Sequence, residues 1–237
     1  MKIIEFDIVK GIFNFKLTEL NTEFHAHPVL EVIIAYQGTF TLNTPEQEFK
    51  QLTFAIIDSN ITHKLKAEDS TLQLLMIESR NSFFSGFLDR LKTPLENGVF
   101  VETNSISVSI LFNQLLDFSR KNDLAMAQDE RVRKCIEILN GADLSYHEMM
   151  PEIRSKVHLS ESRMSHIFKA HIGISIKKFL VWCKLKKAFH LMITEKVSLV
   201  EASHESGFYD QAHLSNAFKS MFGITPSKEY NSRTLQL

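Results

Sequence analysis

The chain of 237 residues contains only two cysteines, Cys135 and Cys183, together with eight glycines and five prolines. Both cysteines lie in stretches of helical periodicity, which excludes a disulfide framework and predicts reduced, buried thiols. No zinc-spaced cysteine set, glycine-rich phosphate loop or nucleophile elbow occurs in the sequence. We therefore assign no catalytic residue.

Long apolar runs are also missing. No segment approaches the roughly 20 residues that a membrane-spanning helix requires. Residues 1–10 lack the basic stretch followed by an apolar run that marks a secretory signal. These absences predict a protein that has no membrane partner and stays in the cytoplasm.

The near-zero net charge of −1 hides two regions of opposite sign. Residues 1–125 hold 11 Lys and Arg against 16 Asp and Glu, a net charge of −5, whereas residues 151–237 hold 13 against 7, a net charge of +6. A basic region favours contact with phosphates, most of all when it coincides with a repeated helical unit.

Such a repeat is present at a spacing of fifty residues. The segment MSHIFK at 164–169 returns as LSNAFK at 214–219, and each copy is followed by Gly-Ile and then Ser or Thr. An apolar residue and a Phe four positions apart share one helix face, and the glycine suits a left-handed helix cap. The region therefore predicts a short helix, a tight turn and a second short helix, formed twice.

The bounds of these helices follow from caps and breakers. A helix is expected from Asp129 to Asn140, and the leading helix of the first unit from about Met149 to Lys156, which puts Pro151 in its first turn. The second unit opens at Ser198 with capping-box spacing. Between the units, residues 176–194 contain no Pro or Gly and predict a helical rod about 28 Å long. Such a rod can set two units about one turn of B-DNA apart, roughly 34 Å.

The first third of the chain has a different period. From Ile3 to about Glu78, alternating Val, Ile, Phe and Thr predict many short strands in a small barrel or sandwich. Two apolar helices follow, one with a stripe over 83–91 and one from about Ser105 to Arg120. They either pack on the barrel or supply a dimer surface. The linker is expected at 121–128.

Two segments resemble a known family. Residues 207–219 (GFYDQAHLSNAFK) with 222–227 (FGITPS) resemble the signature of AraC/XylS-type bacterial transcription regulators, and residues 159–169 (LSESRMSHIFK) are similar to the first helix-turn-helix of that family. The resemblance covers about residues 129–233. It implies that the exposed face of each second helix reads DNA bases. On this chain those residues are Ser162, Ser165 and His166 in the first unit and Gln211, Ala212, His213 and Asn216 in the second.

The chemistry of these side chains fits such roles. Gln and Asn pair bidentately with adenine, and Ala contacts a thymine methyl group, whereas Ser and His are less selective. Arg163, Lys169 and Lys219 are assigned to phosphates. In the family, a small Ala usually occupies the position at which the leading helix of each unit packs closest to its partner helix. Arg154 and Ser203 are assigned to these positions here.

A second resemblance lies in the barrel region. His25, His27 and Glu31, followed by Gly38, resemble the first cupin motif, and His63 matches the histidine of the second. We call His25, His27, Glu31 and His63 the His/Glu set. Alternation along a strand lets these side chains converge inside a barrel, and imidazole with carboxylate suits Fe, Mn, Ni or Zn.

The cupin motifs are incomplete, since Glu19 replaces the glycine expected before the first motif and only the histidine of the second remains. We therefore expect the His/Glu set to line a pocket for an organic effector, with no metal and no cofactor. Metal binding by the same four residues is the alternative.

Together these patterns predict an α+β multidomain fold. Residues 1–122 are expected to form a cupin-like β-barrel with trailing helices, and residues 126–237 an all-α AraC-type DNA-binding domain with two helix-turn-helix units. The expected function is sequence-specific transcription regulation, controlled by a small molecule in the barrel. The expected partners are double-stranded DNA, RNA polymerase, an unknown small-molecule effector and a second copy of the chain in a homodimer.

The alternative is a metal-dependent cupin enzyme, an oxygenase or isomerase, in which the His/Glu set holds the metal and the helices bind partners. That alternative explains the barrel but neither the repeat nor the basic C-terminal region.

Overall fold

The computed structural model describes residues 2–78, 95–103, 105–121, 129–141 and 145–226. The chain divides into two compact units, one of residues 1–125 with 218–237 and one of residues 126–217. The apolar stripe at 83–91 and residues 122–128 of the linker expected at 121–128 lie outside the described residues, whereas Lys121 is helical. The domain limits at 122 and 126 stay a prediction.

The strands of the first unit form two antiparallel sheets. Within the described residues the strands are β1 Lys2–Asp7, β2 Ile12–Leu17, β3 Leu20–Asn21, β4 Leu30–Gln37, β5 Phe40–Asn43, β6 Glu48–Leu52, β7 Phe54–Ile57, β8 Lys64–Ala67, β9 Thr71–Ile77 and β10 Val99–Glu102. The six-stranded sheet has the order β1-β2-β9-β4-β7-β10, and the four-stranded sheet has the order β3-β8-β5-β6.

Residues 30–35 of β4 are buried on both faces, which explains the apolar run at 32–35. Val32 and Ile34 join a core with Phe112 and Leu115 of helix α1 (Ser105–Lys121). Ile33, between them, joins a second core whose residues come from both sheets. Helix α1 thus packs on the six-stranded sheet, as one of the two sequence-based alternatives proposed.

Within the described residues 129–141 and 145–226, the helical region contains six further α-helices. They are α2 Glu130–Gly141, α3 Tyr146–Val157, α4 Glu161–Ile172, α5 Ile176–His190, α6 Leu199–Glu205 and α7 Gln211–Phe222, and a π-helical turn at Leu191–Glu195 extends α5. Helix α5 with this turn is the predicted rod. It packs against α2, α4 and α6.

Serine side chains cap three of these helices. Ser160, Ser175 and Ser198 each accept a hydrogen bond from the backbone N–H three residues later, at 3.2 to 3.3 Å, which satisfies a donor that the first helical turn leaves unpaired. Helix α4 ends at Gly173, whose φ of 82° lies in the left-handed region that glycine adopts without strain.

The predicted start of α3 was wrong. The helix begins at Tyr146, and Pro151 lies inside it. An interior proline costs about 3 kcal/mol because it removes one backbone hydrogen bond. The longer helix gains a capping interaction, in which the Glu148 carboxylate accepts a 2.8 Å hydrogen bond from the Ser145 N–H. Met149, which lies in the longer helix, is buried in the core.

The assignment of Arg154 to a close-packed position was also wrong. Arg154 is exposed, whereas the preceding residue, Ile153, is fully buried. Ile153 is the counterpart of Ser203, which lies fifty positions later and is fully buried as well. The register error was one residue, so the apolar Ile153 occupies the close contact and no charged side chain has to be accommodated there.

The two cysteines are free and buried, which confirms the prediction of reduced thiols. Burial, with Cys183 nearby, raises the pKa of the Cys135 thiol to about 12, so this thiol stays protonated and unreactive. Among the helices in the described part of the chain, none combines the length and hydrophobicity needed to cross a bilayer.

Candidate nucleic-acid interface and buried histidine cluster

Helices α4 and α7, which we call the recognition helices, present the same surface twice. Over 161–170 and 211–220, nine of the ten paired positions share a burial class, and only Ile167 and Ala217 differ. In each helix the first three residues are exposed, the fourth is buried, and the sixth is exposed. The duplication seen in the sequence is therefore a duplication of a solvent-facing surface.

Six of the seven residues assigned to base contacts are exposed on these faces: Ser162, His166, Gln211, Ala212, His213 and Asn216. Ser165 is half-buried. The three cations assigned to phosphates, Arg163, Lys169 and Lys219, are exposed as well. The amide groups of Gln211 and Asn216 provide donors and acceptors on one helix, as adenine recognition requires.

The opposite face of each recognition helix is anchored in a core. Met164 and Phe168 of α4 are fully buried, and the Phe168 ring meets Phe179 of α5 edge to face at a centroid distance of 5.4 Å. In α7, Leu214 and Phe218 take the corresponding positions. These apolar anchors fix the helix rotation and so determine which polar side chains face the solvent.

The start of α7 contains a feature that the sequence did not identify as functional. The Asp210 carboxylate accepts a 2.7 Å hydrogen bond from the His213 N–H, and the His213 ring lies perpendicular to the Phe208 ring at 5.2 Å. Between them Tyr209 is 85% exposed. The sequence signal for this feature was the position of the aromatic Tyr209 between Phe208 and the helix-capping Asp210.

Lys219 forms an ion pair with Glu23. Its ammonium lies 3.1 Å from the carboxylate of Glu23, which is 69% exposed. Exposed ion pairs of this kind contribute about 0–1 kcal/mol. A phosphate can therefore replace this carboxylate at little cost.

The His/Glu set comes together in the first unit. The ligand atoms of its four side chains lie within 4.8 Å of one another. The side chains are almost fully buried, with residue exposures of 6, 1, 2 and 0% for His25, His27, Glu31 and His63. The Nε2 atoms of His27 and His63 lie 3.2 and 3.0 Å from the same oxygen, Glu31 Oε2.

Backbone groups hold the three rings in place. The Nδ1 atom of each histidine lies 2.9 to 3.1 Å from a carbonyl oxygen two residues away, that of Glu23, Val29 or Ile61. His25 and His63 also exchange two backbone hydrogen bonds of 2.9 Å across an isolated bridge. With the Nδ1 atoms held in this way, the Nε2 atoms of His27 and His63 face Glu31 Oε2.

Burial sets the protonation states of this cluster. Burial, together with the neighbouring His63 and His27, lowers the pKa of His25 to about 3, so this ring is neutral at pH 7. Burial alone would raise the pKa of Glu31, but hydrogen bonds from His27 and His63 outweigh it and hold that pKa well below its usual range. Glu31 is therefore an ionised carboxylate inside the protein.

The predicted convergence of the four side chains is confirmed, but the predicted cause was only half right. Glu31 lies on β4, on the same face as Ile33, which points between the sheets. His25 and His27 precede β4 and belong to no regular strand, since only His25 makes an isolated bridge. The sequence predicted that alternation along one strand would bring the side chains together. In the structure, the backbone bridge between His25 and His63 brings these two histidines together.

Helices α3 and α4 form one helix-turn-helix, helices α6 and α7 form another, and α5 joins them, so residues 146–222 make up a double helix-turn-helix region. Residues 154–231 match a family model described as a helix-turn-helix domain. The chain is similar to the Msm operon regulatory protein of Streptococcus mutans, with 32% identity over 114 residues, and to the Arabinose operon regulatory protein of Salmonella typhimurium, with 29% identity over 100 residues.

These matches confirm the resemblance of the C-terminal region to AraC/XylS-type transcription regulators. They cover 48% and 42% of this chain. The chain in turn spans 40% and 36% of the length of these two relatives.

A solved structure resembles a larger part of the chain. ToxT from Vibrio cholerae O395 matches with a TM-score of 0.59 and 14% identity, covering 92% of this chain and 96% of that chain. The similarity confirms the α+β fold class with an N-terminal sheet region and a C-terminal helical domain.

Proposed function

We propose that the protein is a transcription regulator that binds specific sequences in double-stranded DNA through its two recognition helices. The observation that carries this proposal is the repeated exposed polar face of α4 and α7, fifty residues apart in a region of net charge +6. A single helix-turn-helix reads one stretch of major groove, so two units on one chain suit a bipartite site.

Within this proposal the second helix-turn-helix supplies most of the sequence discrimination. Gln211 and Asn216 read adenine edges, Ala212 contacts a thymine methyl group, and His213 adds a less selective contact. In the first unit, Ser162, Ser165 and His166 position the helix more than they specify a base. The two half-sites are therefore unequal, and the preferred site is asymmetric.

The remaining contacts are with the DNA backbone. Arg163, Lys169 and Lys219 neutralise phosphates, and the exposed hydroxyl group of Tyr209 joins them at the start of α7. Because these groups contact phosphates rather than base edges, they contribute affinity for every sequence.

Control of binding is assigned to the sheet unit. A small molecule at the His/Glu set would change how the chain pairs with a second copy, and the resulting homodimer would determine the recruitment of RNA polymerase. One support is a protein of similar fold, since ToxT has been crystallised with (E)-4-(8-methylnaphthalen-1-yl)but-3-enoic acid bound. Such a protein acts by binding, and we assign no residue a catalytic role.

The direct test is selection of random duplex DNA by the purified full chain, followed by sequencing. We expect a bipartite asymmetric site. Recovery of no enriched sequence, with the protein folded and at low salt, would contradict the proposal.

Salt dependence checks the phosphate contacts. Each neutralised phosphate contributes about 0.9 to the slope of log affinity against log salt concentration, so Arg163, Lys169 and Lys219 together predict about a 40-fold loss between 50 and 200 mM salt. Arg163→Gln should lower the slope by about 0.9, as measured by fluorescence anisotropy. Lys134→Ala, in a surface ion pair on α2, is the matched control and should leave the slope unchanged.

A further inference from the structure

We propose that Glu161, the first residue of recognition helix α4, accepts a hydrogen bond from a cytosine in the half-site that α4 contacts, and that Tyr146 positions its carboxylate. The role of Glu161 rests on the proposed DNA binding, because a helical side chain reads base edges only from within the major groove. It deepens that function by naming the base pair that the first helix-turn-helix selects.

The first support is the place of Glu161 in the duplication. It lies fifty positions before Gln211, the first residue of recognition helix α7, and both side chains are exposed. The N-terminal residues of a recognition helix are the ones that contact base edges. Gln211 is assigned such a contact, so the shared burial pattern gives Glu161 the equivalent position on α4.

The second support is a hydrogen bond that holds this carboxylate. The hydroxyl group of Tyr146, the first residue of α3, lies 2.9 Å from Glu161 Oε1 and donates to it, because a carboxylate only accepts hydrogen bonds. Partial burial and the bond to Glu161 raise the pKa of Tyr146, so its hydroxyl group keeps the proton at pH 7. The Lys177 ammonium lies 4.7 Å from the centre of the Tyr146 ring and holds the ring through a cation–π contact.

The bond from Tyr146 leaves Glu161 able to accept from a base. The two oxygens of a carboxylate carry about four lone pairs, and one hydrogen bond occupies a single one. A side chain that is already held in one geometry loses less conformational freedom when it binds. Tyr146 therefore makes the contact of Glu161 more selective without taking part in it.

The chemistry of a carboxylate selects the base. In the major groove the N4 amino group of cytosine is a donor, whereas guanine presents two acceptors and thymine presents an acceptor and a methyl group. Adenine has a donor beside an acceptor, which an amide matches better than a carboxylate does. Because Ser162, Ser165 and His166 are less selective, a cytosine contact gives this half-site a defined base pair.

The test is selection of random duplex DNA by the full chain and by Glu161→Gln, which keeps the size of the side chain and removes its charge. Wild type should prefer cytosine at one position of this half-site by at least about fivefold. Glu161→Gln should prefer adenine at that position, because an amide pairs with adenine. Glu152→Gln, in a surface ion pair with Lys156 on α3, is the matched control and should keep the preference for cytosine.

Tyr146→Phe tests the positioning role. It should keep cytosine as the preferred base but weaken the preference at that position about two- to threefold, since the freed carboxylate has to be ordered on binding. An equal loss of affinity for all four bases at that position would overturn the positioning role of Tyr146, because a merely structural tyrosine acts on every sequence alike.

Glu161 also lies in the first turn of α4, where a negative charge stabilises the helix. If that were its only role, Glu161→Gln would lower the thermal stability and select the same bases as wild type, which would overturn the cytosine contact and leave the regulator standing. A wild-type chain that enriches no sequence would instead overturn the proposed DNA binding, and the role of Glu161 with it.

If Glu161→Gln fails to fold, modified DNA decides with the wild-type chain. The half-site of α4 is the one whose base preferences Gln211→Ala and Asn216→Ala leave unchanged. An N4-methyl group on its selected cytosine keeps the base pair but replaces the amino hydrogen that faces the major groove, and it should weaken binding at least about fivefold. Unchanged affinity for the methylated duplex would overturn the cytosine contact.

Discussion

Replacing Ile153 with alanine is expected to destabilise the helical region by about 2–5 kcal/mol, because it empties a fully buried position in α3. Replacing the adjacent Arg154 with alanine should change the free energy of unfolding by no more than about 0.5 kcal/mol, since its side chain is exposed. The pair tests which residue occupies the close-packed position of the first helix-turn-helix.

The chain provides its own probe for this measurement. Trp182, its single tryptophan, lies buried in α5, so tryptophan fluorescence during urea unfolding follows the helical region and not the sheets. A larger loss of stability in Arg154→Ala than in Ile153→Ala would show that the register of α3 is wrong. Circular dichroism of both variants before denaturation controls for misfolding.

The second large effect is expected at the DNA surface. Gln211→Ala and Asn216→Ala should each cost about 1–3 kcal/mol on the selected site, because each removes a bidentate contact with a base. The same variants should bind unrelated duplexes almost as well as wild type. Their preference among single-base variants of the site should therefore become weaker.

Lys219→Ala is the matched comparison, because Lys219 lies on the same helix, in its last turn. A lysine that contacts a phosphate contributes to every sequence alike, so its loss should weaken specific and unrelated duplexes by the same factor. Dissociation constants at one fixed salt concentration measure both effects. If Lys219→Ala altered the preferred sequence while Gln211→Ala and Asn216→Ala did not, the reading face of α7 would be misassigned.

Local patterns in the sequence determined much of this protein. The spacing of Met164 and Phe168, and of Leu214 and Phe218, predicted the faces of α4 and α7, because helical periodicity fixes which side chains lie together. The serine caps at 160, 175 and 198 form through hydrogen bonds that span only three residues, so the local sequence is enough to specify them. The recognition helices were readable for the same reason, since each is a single segment with one buried stripe.

Where long-range packing competes with local preference, only the tertiary structure decided. Pro151 lies inside α3 because burial of Met149 and Ile153 and the Ser145 cap act together against a local cost. Ile153 rather than Arg154 faces the core because the rotation of α3 is set by its neighbours.

The His/Glu set shows the same division. The sequence supplied the four residue types, from which we expected an organic pocket, with metal binding as the alternative. The directions of their ring nitrogens depend on the carbonyls of Glu23, Val29 and Ile61 and on the bridge between His25 and His63, residues that are 38 positions apart in the chain. Those directions follow from backbone positions that no local pattern specifies.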